Sequence, residues 1–227
     1  MQELIRKMFD AGAHYGYSKA TRHPSAEKHI YGTKDGMEII DLESTASQLS
    51  AAKEFVSKLA AGKKQILFVS SKPEAREAIA EAAESVDQPY IAGRWIGGTL
   101  TNIEQMKKRI KKLADLKTKR DKGQLEKYTK KEQLLISREI SDLERRFGGI
   151  SDMAGYPGAL FVIDPKAESI AIKEAIKVGI PVVALLNTDC SSDDVDYPIY
   201  GNDASRNSIK LFVNEIAAAI EEGAKRQ

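Results

Sequence analysis

Two helical patterns interrupt a chain of otherwise alternating short apolar runs and amphipathic helices, and that interruption limits the fold more than any other feature. It runs from Gly93 to Phe147. A Gly-rich turn, Gly93-Arg94-Trp95-Ile96-Gly97-Gly98, leads into Ile103, Met106, Ile110 and Leu113, spaced by three, four and three residues. Ile136, Ile140, Leu143 and Phe147 then step by four, three and four. This is the seam of a coiled coil, and it predicts a helical hairpin. Thr101 with Glu104, and Thr129 with Glu132, have the spacing of capping boxes. Asp121-Lys122-Gly123 supplies the connection, and Gly148-Gly149 is expected to stop the second helix in the left-handed conformation. Each arm, about 17 residues, spans roughly 25 Å. Two such arms are too thin for a globular domain, so most of their surface must face water or a partner.

Charge narrows the choice of partner. Between Leu100 and Arg146 stand fifteen Lys or Arg against eight Asp or Glu, a net charge of +7. The chain as a whole holds 35 basic and 33 acidic residues, which leaves 20 and 25 elsewhere, a net of −5. A near-neutral total thus conceals a basic arm on a mildly acidic body. Such an arm suits a polyanion, because each Lys or Arg that neutralises a phosphate releases condensed counterions whatever the base sequence. The plainer reading is a solvated face whose charges only keep the arm soluble.

Around the arm, strands and helices alternate. Leu49, Ala52, Val56 and Leu59 mark an amphipathic helix from about Ser44 to Gly62. Ile66-Leu67-Phe68-Val69 is an apolar run, Pro73 opens a helix at its first position, and Pro89-Tyr90-Ile91 resumes the sheet. Beyond the arm come a strand at Ala159-Leu160-Phe161-Val162-Ile163, a helix from Glu168 to Lys177 ended by Gly179, and a strand at Pro181 to Leu186. A long loop and a last helix from about Ala204 to Glu222 follow. Short strands apolar on both faces, alternating with helices, predict a three-layer, doubly wound α/β fold with a parallel sheet. The arm is then an insertion between the second and third sheet strands: residues 1–98 and 148–227 form the body, and 99–147 the hairpin. At the start of the body, Leu4, Ile5, Met8 and Phe9 make a short helical stripe, and Ala11 to Tyr17 a Gly-broken turn. An irregular basic loop with Lys19, Arg22, His23, Lys28 and His29 precedes a small β-hairpin around Lys34-Asp35-Gly36.

With 227 residues, 42% of them hydrophobic, one body and the arm account for the whole chain. A single cysteine, Cys190, allows no internal disulfide and points to a reducing compartment. No apolar run reaches the roughly 18 residues that a bilayer span needs, and the charged, amphipathic start does not read as a signal peptide. Both features predict a soluble, cytoplasmic protein.

Catalytic chemistry on a parallel sheet belongs beyond the carboxyl ends of its strands. Ser70-Ser71-Lys72 before Pro73 can seat a phosphate or simply cap a helix, and the absence of Gly-x-Gly-x-x-Gly or Gly-x-x-x-x-Gly-Lys-Ser/Thr favours the cap. Asp164, Asp189, Asp193, Asp194 and Asp196 read as loop acids. His14, His23 and His29 lack ligand spacing, so no metal site is expected. Trp95 fits equally well as core or as a planar group that Arg94 accompanies to a nucleic acid or a partner.

Several stretches together resemble one family, bacterial small-subunit ribosomal protein S-two. Gly93 to Asn102 is similar to that family's Arg-Trp-Leu-Gly-Gly-x-Leu-Thr-Asn signature. Ile39-Ile40-Asp41-Leu42, Phe161-Val162-Ile163-Asp164, Gly179-Ile180-Pro181-Val182-Val183-Ala184 and Val195-Asp196-Tyr197-Pro198-Ile199 also match, in order along the chain. The resemblance implies a flavodoxin-like body with a projecting coiled coil and a place on the small ribosomal subunit. It implies no catalysis, no cofactor, no small-molecule substrate and no homo-oligomer. The implied partners are the subunit's large RNA and neighbouring ribosomal proteins, among them S-one, which the family helps to dock. Carried over by position, the RNA-binding residues are Arg94, Trp95, Lys107, Lys108, Arg109, Lys111 and Lys112; Lys19, Arg22 and His23 of the basic loop and Lys119 and Arg120 of the arm join them as RNA-binding candidates. The family's His-Phe-Gly-His stands in this chain as His14-Tyr15-Gly16-Tyr17, and its Trp-Asn-Pro as Arg22-His23-Pro24. Two rival readings remain: an enzyme with a pocket at Lys72, Asp164 and Asp189, and a module whose coiled coil binds partner helices.

Overall fold

The computed structural model describes residues 2–125, 127–153 and 155–226. Five strands, β4 (Ile66–Ser70), β5 (Tyr90–Ala92), β6 (Ala159–Ile163), β7 (Val182–Leu186) and β8 (Tyr197–Tyr200), pair in parallel in the order β5-β4-β6-β7-β8. The chain therefore starts in the sheet interior at β4, steps outward to β5, and returns past β4 to β6. Because strand side chains alternate, each central strand feeds two cores. Ile66 and Phe68 join Phe161, Val183 and Leu185 beneath α2 (Leu42–Ala61), α3 (Pro73–Ser85) and α7 (Arg206–Lys225). Leu67 and Val69 join Leu160, Val162 and Ala184 beneath α6 (Ser169–Val178) on the other face.

Two strands were not expected. β8 contains Pro198, which lacks an amide and reads as a break, yet Tyr197 to Tyr200 pairs with Val183 to Leu186 along one side only. As the edge strand it loses nothing by that missing donor. The turn expected at Ala11 to Tyr17 is partly β1 (Tyr15–Ser18), which joins β2 (Ile30–Lys34) and β3 (Met37–Ile40) in an antiparallel sheet of order β1-β3-β2. The β2–β3 turn is as predicted: Asp35 and Gly36 both have positive φ, 51° and 79°. α1 (Gln2–Asp10) docks by the buried Met8, and two 3-10 turns, Lys19–Thr21 and Pro24–His29, give the basic loop its only regular structure.

The insertion leaves the sheet after β5 and returns before β6 as α4 (Ile103–Asp121) and α5 (Lys130–Phe147). Met106 and Leu113 pack with Ile140, Leu143 and Phe147, while Ile103, Ile110 and Ile136 are partly buried beside them. This seam is continuous with the core under α6, so the helices are rooted in the body. Thr129 and Glu132 form the predicted capping box. The other end differs. Asn102, not Thr101, is the N-cap of α4 and makes no side-chain cap, and the Thr101 hydroxyl expected to pair with Glu104 donates to Glu174 at 3.2 Å instead. Nor is Gly148 left-handed: its φ of −56° and ψ of −48° continue the helix into a 3-10 turn. Glycine is needed at the next position for room, since a Cβ on Gly149 would overlap the Tyr90 carbonyl of edge strand β5.

Candidate nucleic-acid interface

Along α4 and its C-cap, Lys122, the successive 100° steps place Lys107, Lys108, Lys111, Lys112, Lys119 and Lys122 on one side, opposite Met106, Ile110 and Leu113. All six are exposed. Lys112 pairs with Glu139 across the seam and Arg120 with Asp121 at 3.1 Å. Among the described residues Lys107, Lys108, Arg109, Lys111 and Lys119 have no acidic partner. On α5, Lys131, Arg138 and Arg145 recur every seven residues on the side away from the seam, with Arg145 bonded to Asp142 at 2.7 Å. Burial of the apolar stripe thus forces the cations outward, and most keep their charge available.

The root of the hairpin is organised by Glu174 of α6, a buried carboxylate that the sequence reading did not single out. Its Oε1 accepts from the Gly98 amide at 2.6 Å and the Trp95 indole at 3.3 Å. Its Oε2 accepts from the Leu100 and Thr101 amides at 3.0 and 3.1 Å. Burial alone would raise its pKa, but the hydrogen bonds of Gly98, Thr101, Leu100 and Trp95 outweigh that and hold it below the usual Glu value. Trp95 is accordingly core, only 6% exposed, whereas its neighbour Arg94 is exposed.

The N-terminal loop is more heavily engaged. Lys19 is exposed. Arg22 lies 3.4 Å from the fully buried Glu38 and 3.3 Å from Glu27, so its guanidinium is the counter-ion of a carboxylate inside the fold. His23 caps the second 3-10 turn, its Nδ1 accepting from the Ser25 amide, and its own amide donates to Thr188 at 2.8 Å. His29 stacks on Tyr200 with centroids 4.5 Å apart.

The crevice where the strand order reverses, between β4 and β6, is filled by the protein itself. Lys72 Nζ sits 2.6 Å from Asp203 and 2.9 Å from Asp164, and these carboxylates raise its pKa against the opposing effect of burial. The Ser71 amide is given to Glu168 at 2.6 Å. Asp164, Asp203 and Cys190 bring potential ligand atoms within 4.8 Å of one another, but burial pushes the thiol pKa up, and the two carboxylates hold the Lys72 ammonium. Gly16 presses on Thr188 so closely that a Cβ would overlap its side chain, and the Tyr17 amide donates to Thr188 Oγ1 at 3.0 Å. Lys166 takes Asp189 at 2.9 Å. The residues proposed for an enzymatic pocket are therefore brought together in part, as internal ion pairs beneath the N-terminal segment.

The sequence profile of Ribosomal protein S2 matches residues 8–223. The chain belongs to the ribosomal protein S2 family. Small ribosomal subunit protein uS2 of Desulforapulum autotrophicum is 42% identical over 222 residues, 98% of this chain and 79% of that protein. The protein of the same name from Chloroflexus aurantiacus is 41% identical over 223 residues, covering 98% and 94%. That of Pseudoalteromonas translucida is 43% identical over 219 residues, covering 96% and 90%. The S2 family is structural, not enzymatic. Within this S2 fold the signature stretch Gly93 to Asn102 is the segment wrapped around Glu174, so the motif is legible as a hydrogen-bonded root for the helices that follow it. Glu174 itself lies more than 70 positions away on an ordinary amphipathic helix, and only its burial marks it.

Proposed function

We propose that the chain is a structural constituent of the small ribosomal subunit, acting in translation in the cytoplasm and binding the subunit's RNA through its basic hairpin and N-terminal loop. In this reading residues 1–98 and 148–227 form a flavodoxin-like body, and 99–147 an inserted coiled coil that carries the RNA contacts. The observation that supports it most is the row of cations on the outer side of α4, most of them without an acidic partner among the described residues, fixed opposite an apolar seam that is itself continuous with the body's core. The seam residues are spent inside the hairpin, and the large apolar side chains left exposed on its two helices, Leu134 and Leu135, lie together in the first turns of α5 rather than along the seam. Lys107, Lys108, Arg109, Lys111 and Lys119 are the first candidates for phosphate contacts, with Lys112 and Arg120 sharing their charge with Glu139 and Asp121. Arg94 reaches the RNA directly, whereas Trp95 serves by holding Arg94 in place. Lys19 and Lys28 are exposed cations of the N-terminal loop with no acidic partner among the described residues, and Arg22 and His23 shape that loop. Exposed Phe9, Tyr15 and Tyr31 near the N-terminus support a protein neighbour on that side, S-one in the family reading. One copy per subunit is expected.

A groove of double-stranded RNA offers lysine few base edges, so binding should depend on shape and charge. The test is the salt dependence of binding to small-subunit RNA for the wild type and for Lys107→Gln/Lys108→Gln/Lys111→Gln. Each lost phosphate contact lowers the log–log slope by roughly 0.7–0.9. A flatter slope is expected; a variant whose slope stays as steep would remove these lysines from the interface.

A further inference from the structure

The hairpin leaves the body after β5 and returns to it immediately beside β5, and the notch between root and edge strand is a solvent-open cleft of about 1020 Å³. Its floor is formed by Tyr90 to Gly93, where Gly149 lets the returning turn lie against the strand. Three exposed guanidiniums stand on different sides of it: Arg76 from α3, Arg94 from the signature turn and Arg146 from the end of α5. None of the three has an acidic partner among the described residues, and the one carboxylate in the lining, Glu144, is neutralised by Lys117 at 2.7 Å. All three free cations are arginines, whose forked, planar donors match phosphate in two parallel bonds.

Size selects the form of the ligand. Pockets of about 300–1,000 Å³ hold one small ligand, so a cleft of about 1020 Å³ has room for a short stretch of one nucleic-acid strand, whereas the lysine face of α4 lies outside it and is open to a duplex. We propose that the cleft at the hairpin root is a single-strand RNA seat, in which Arg76, Arg94 and Arg146 clamp consecutive phosphates of an unpaired segment. This deepens the RNA-binding reading by adding a second mode of contact, with Arg76 and Arg146 as residues of their own.

The experiment uses the full chain and two fluorescein-labelled RNAs, a single-stranded decamer and a blunt ten-base-pair duplex, with binding read by anisotropy. Arg94→Gln/Arg146→Gln should weaken the decamer about tenfold or more, as expected for two lost charge-assisted clamps, and change the duplex less than about twofold. Lys107→Gln/Lys108→Gln/Lys111→Gln should show the opposite pattern. Because the arginines are exposed, both variants should keep the wild-type melting temperature. Equal losses on both RNAs, an unchanged decamer affinity, or displacement of the decamer by polyglutamate at matched charge would each overturn the seat. If the arginine variant binds the decamer normally yet the protein still sediments with the small subunit, the seat fails and the ribosomal role stands.

Discussion

Replacing Glu174 by Gln isolates the contact that fixes where the hairpin points. The amide oxygen can keep the bonds from Gly98 and Trp95, but an NH2 then faces the Leu100 and Thr101 amides, which sit 3.0 and 3.1 Å from the present carboxylate oxygen. Bonds to a charged group are worth about 1.5–3 kcal/mol each, and a buried donor left without an acceptor costs about 1–3 kcal/mol. A net loss of about 3 kcal/mol is expected, or about 6–12 °C in Tm for a chain of this size. Because the folded-state pKa of Glu174 is depressed, its stabilisation is complete above the unfolded value of about 4.3 and is lost as pH falls through the lower folded value. The gap in Tm between wild type and variant should therefore be constant from about pH 8 to 5 and narrow as pH falls below the unfolded value of about 4.3. Hydrogen exchange should show the loss first at the amides of Gly98, Leu100 and Thr101. A variant whose Tm and whose protection at those three amides match the wild type would refute the reasoning.

Other parts of the fold give equally direct tests. Lys72→Met strands Asp203 and Asp164 without their counter-ion, and denaturant unfolding should show a loss of about 3–5 kcal/mol, partly recovered in Lys72→Met/Asp203→Asn. Gly223→Ala should cost about 1–3 kcal/mol, because a Cβ there overlaps the Ser57 carbonyl where α2 and α7 cross. Gly32→Ala meets nothing within 4 Å and has no positive φ, so its Tm should stay within about 2 °C of wild type. Gly16→Val should displace the N-terminal segment from Thr188, visible as faster proteolysis before β4 with the rest of the sheet intact.

What the sequence could reveal was whatever repeats locally. Seam spacing, apolar runs and the Thr129–Glu132 box are periodic or short-range, and they placed the parallel sheet and both inserted helices. What it hid depends on distant neighbours. The pull of Glu174 on Thr101 turns an apparent capping box into part of the hairpin's root. Pro198 disguises an edge strand because sheet position is not a local property. Gly149 looks like a helix terminator, while its actual constraint is the Tyr90 carbonyl from another strand. Site residues divide in the same way. The exposed lysines of α4 follow from amphipathicity alone, but that Arg22 answers a buried Glu38 and that Trp95 faces inward becomes visible only once the chain is folded.

The central claim is that the protein is anchored in the small subunit by its hairpin. Sucrose-gradient sedimentation of the tagged protein from its own cells, at low and high magnesium, beside a variant lacking residues 102–146, tests it most directly. Co-migration with the small subunit through dissociation of the ribosome is expected, as is its loss in the variant. Full-length protein remaining at the top of both gradients would contradict it.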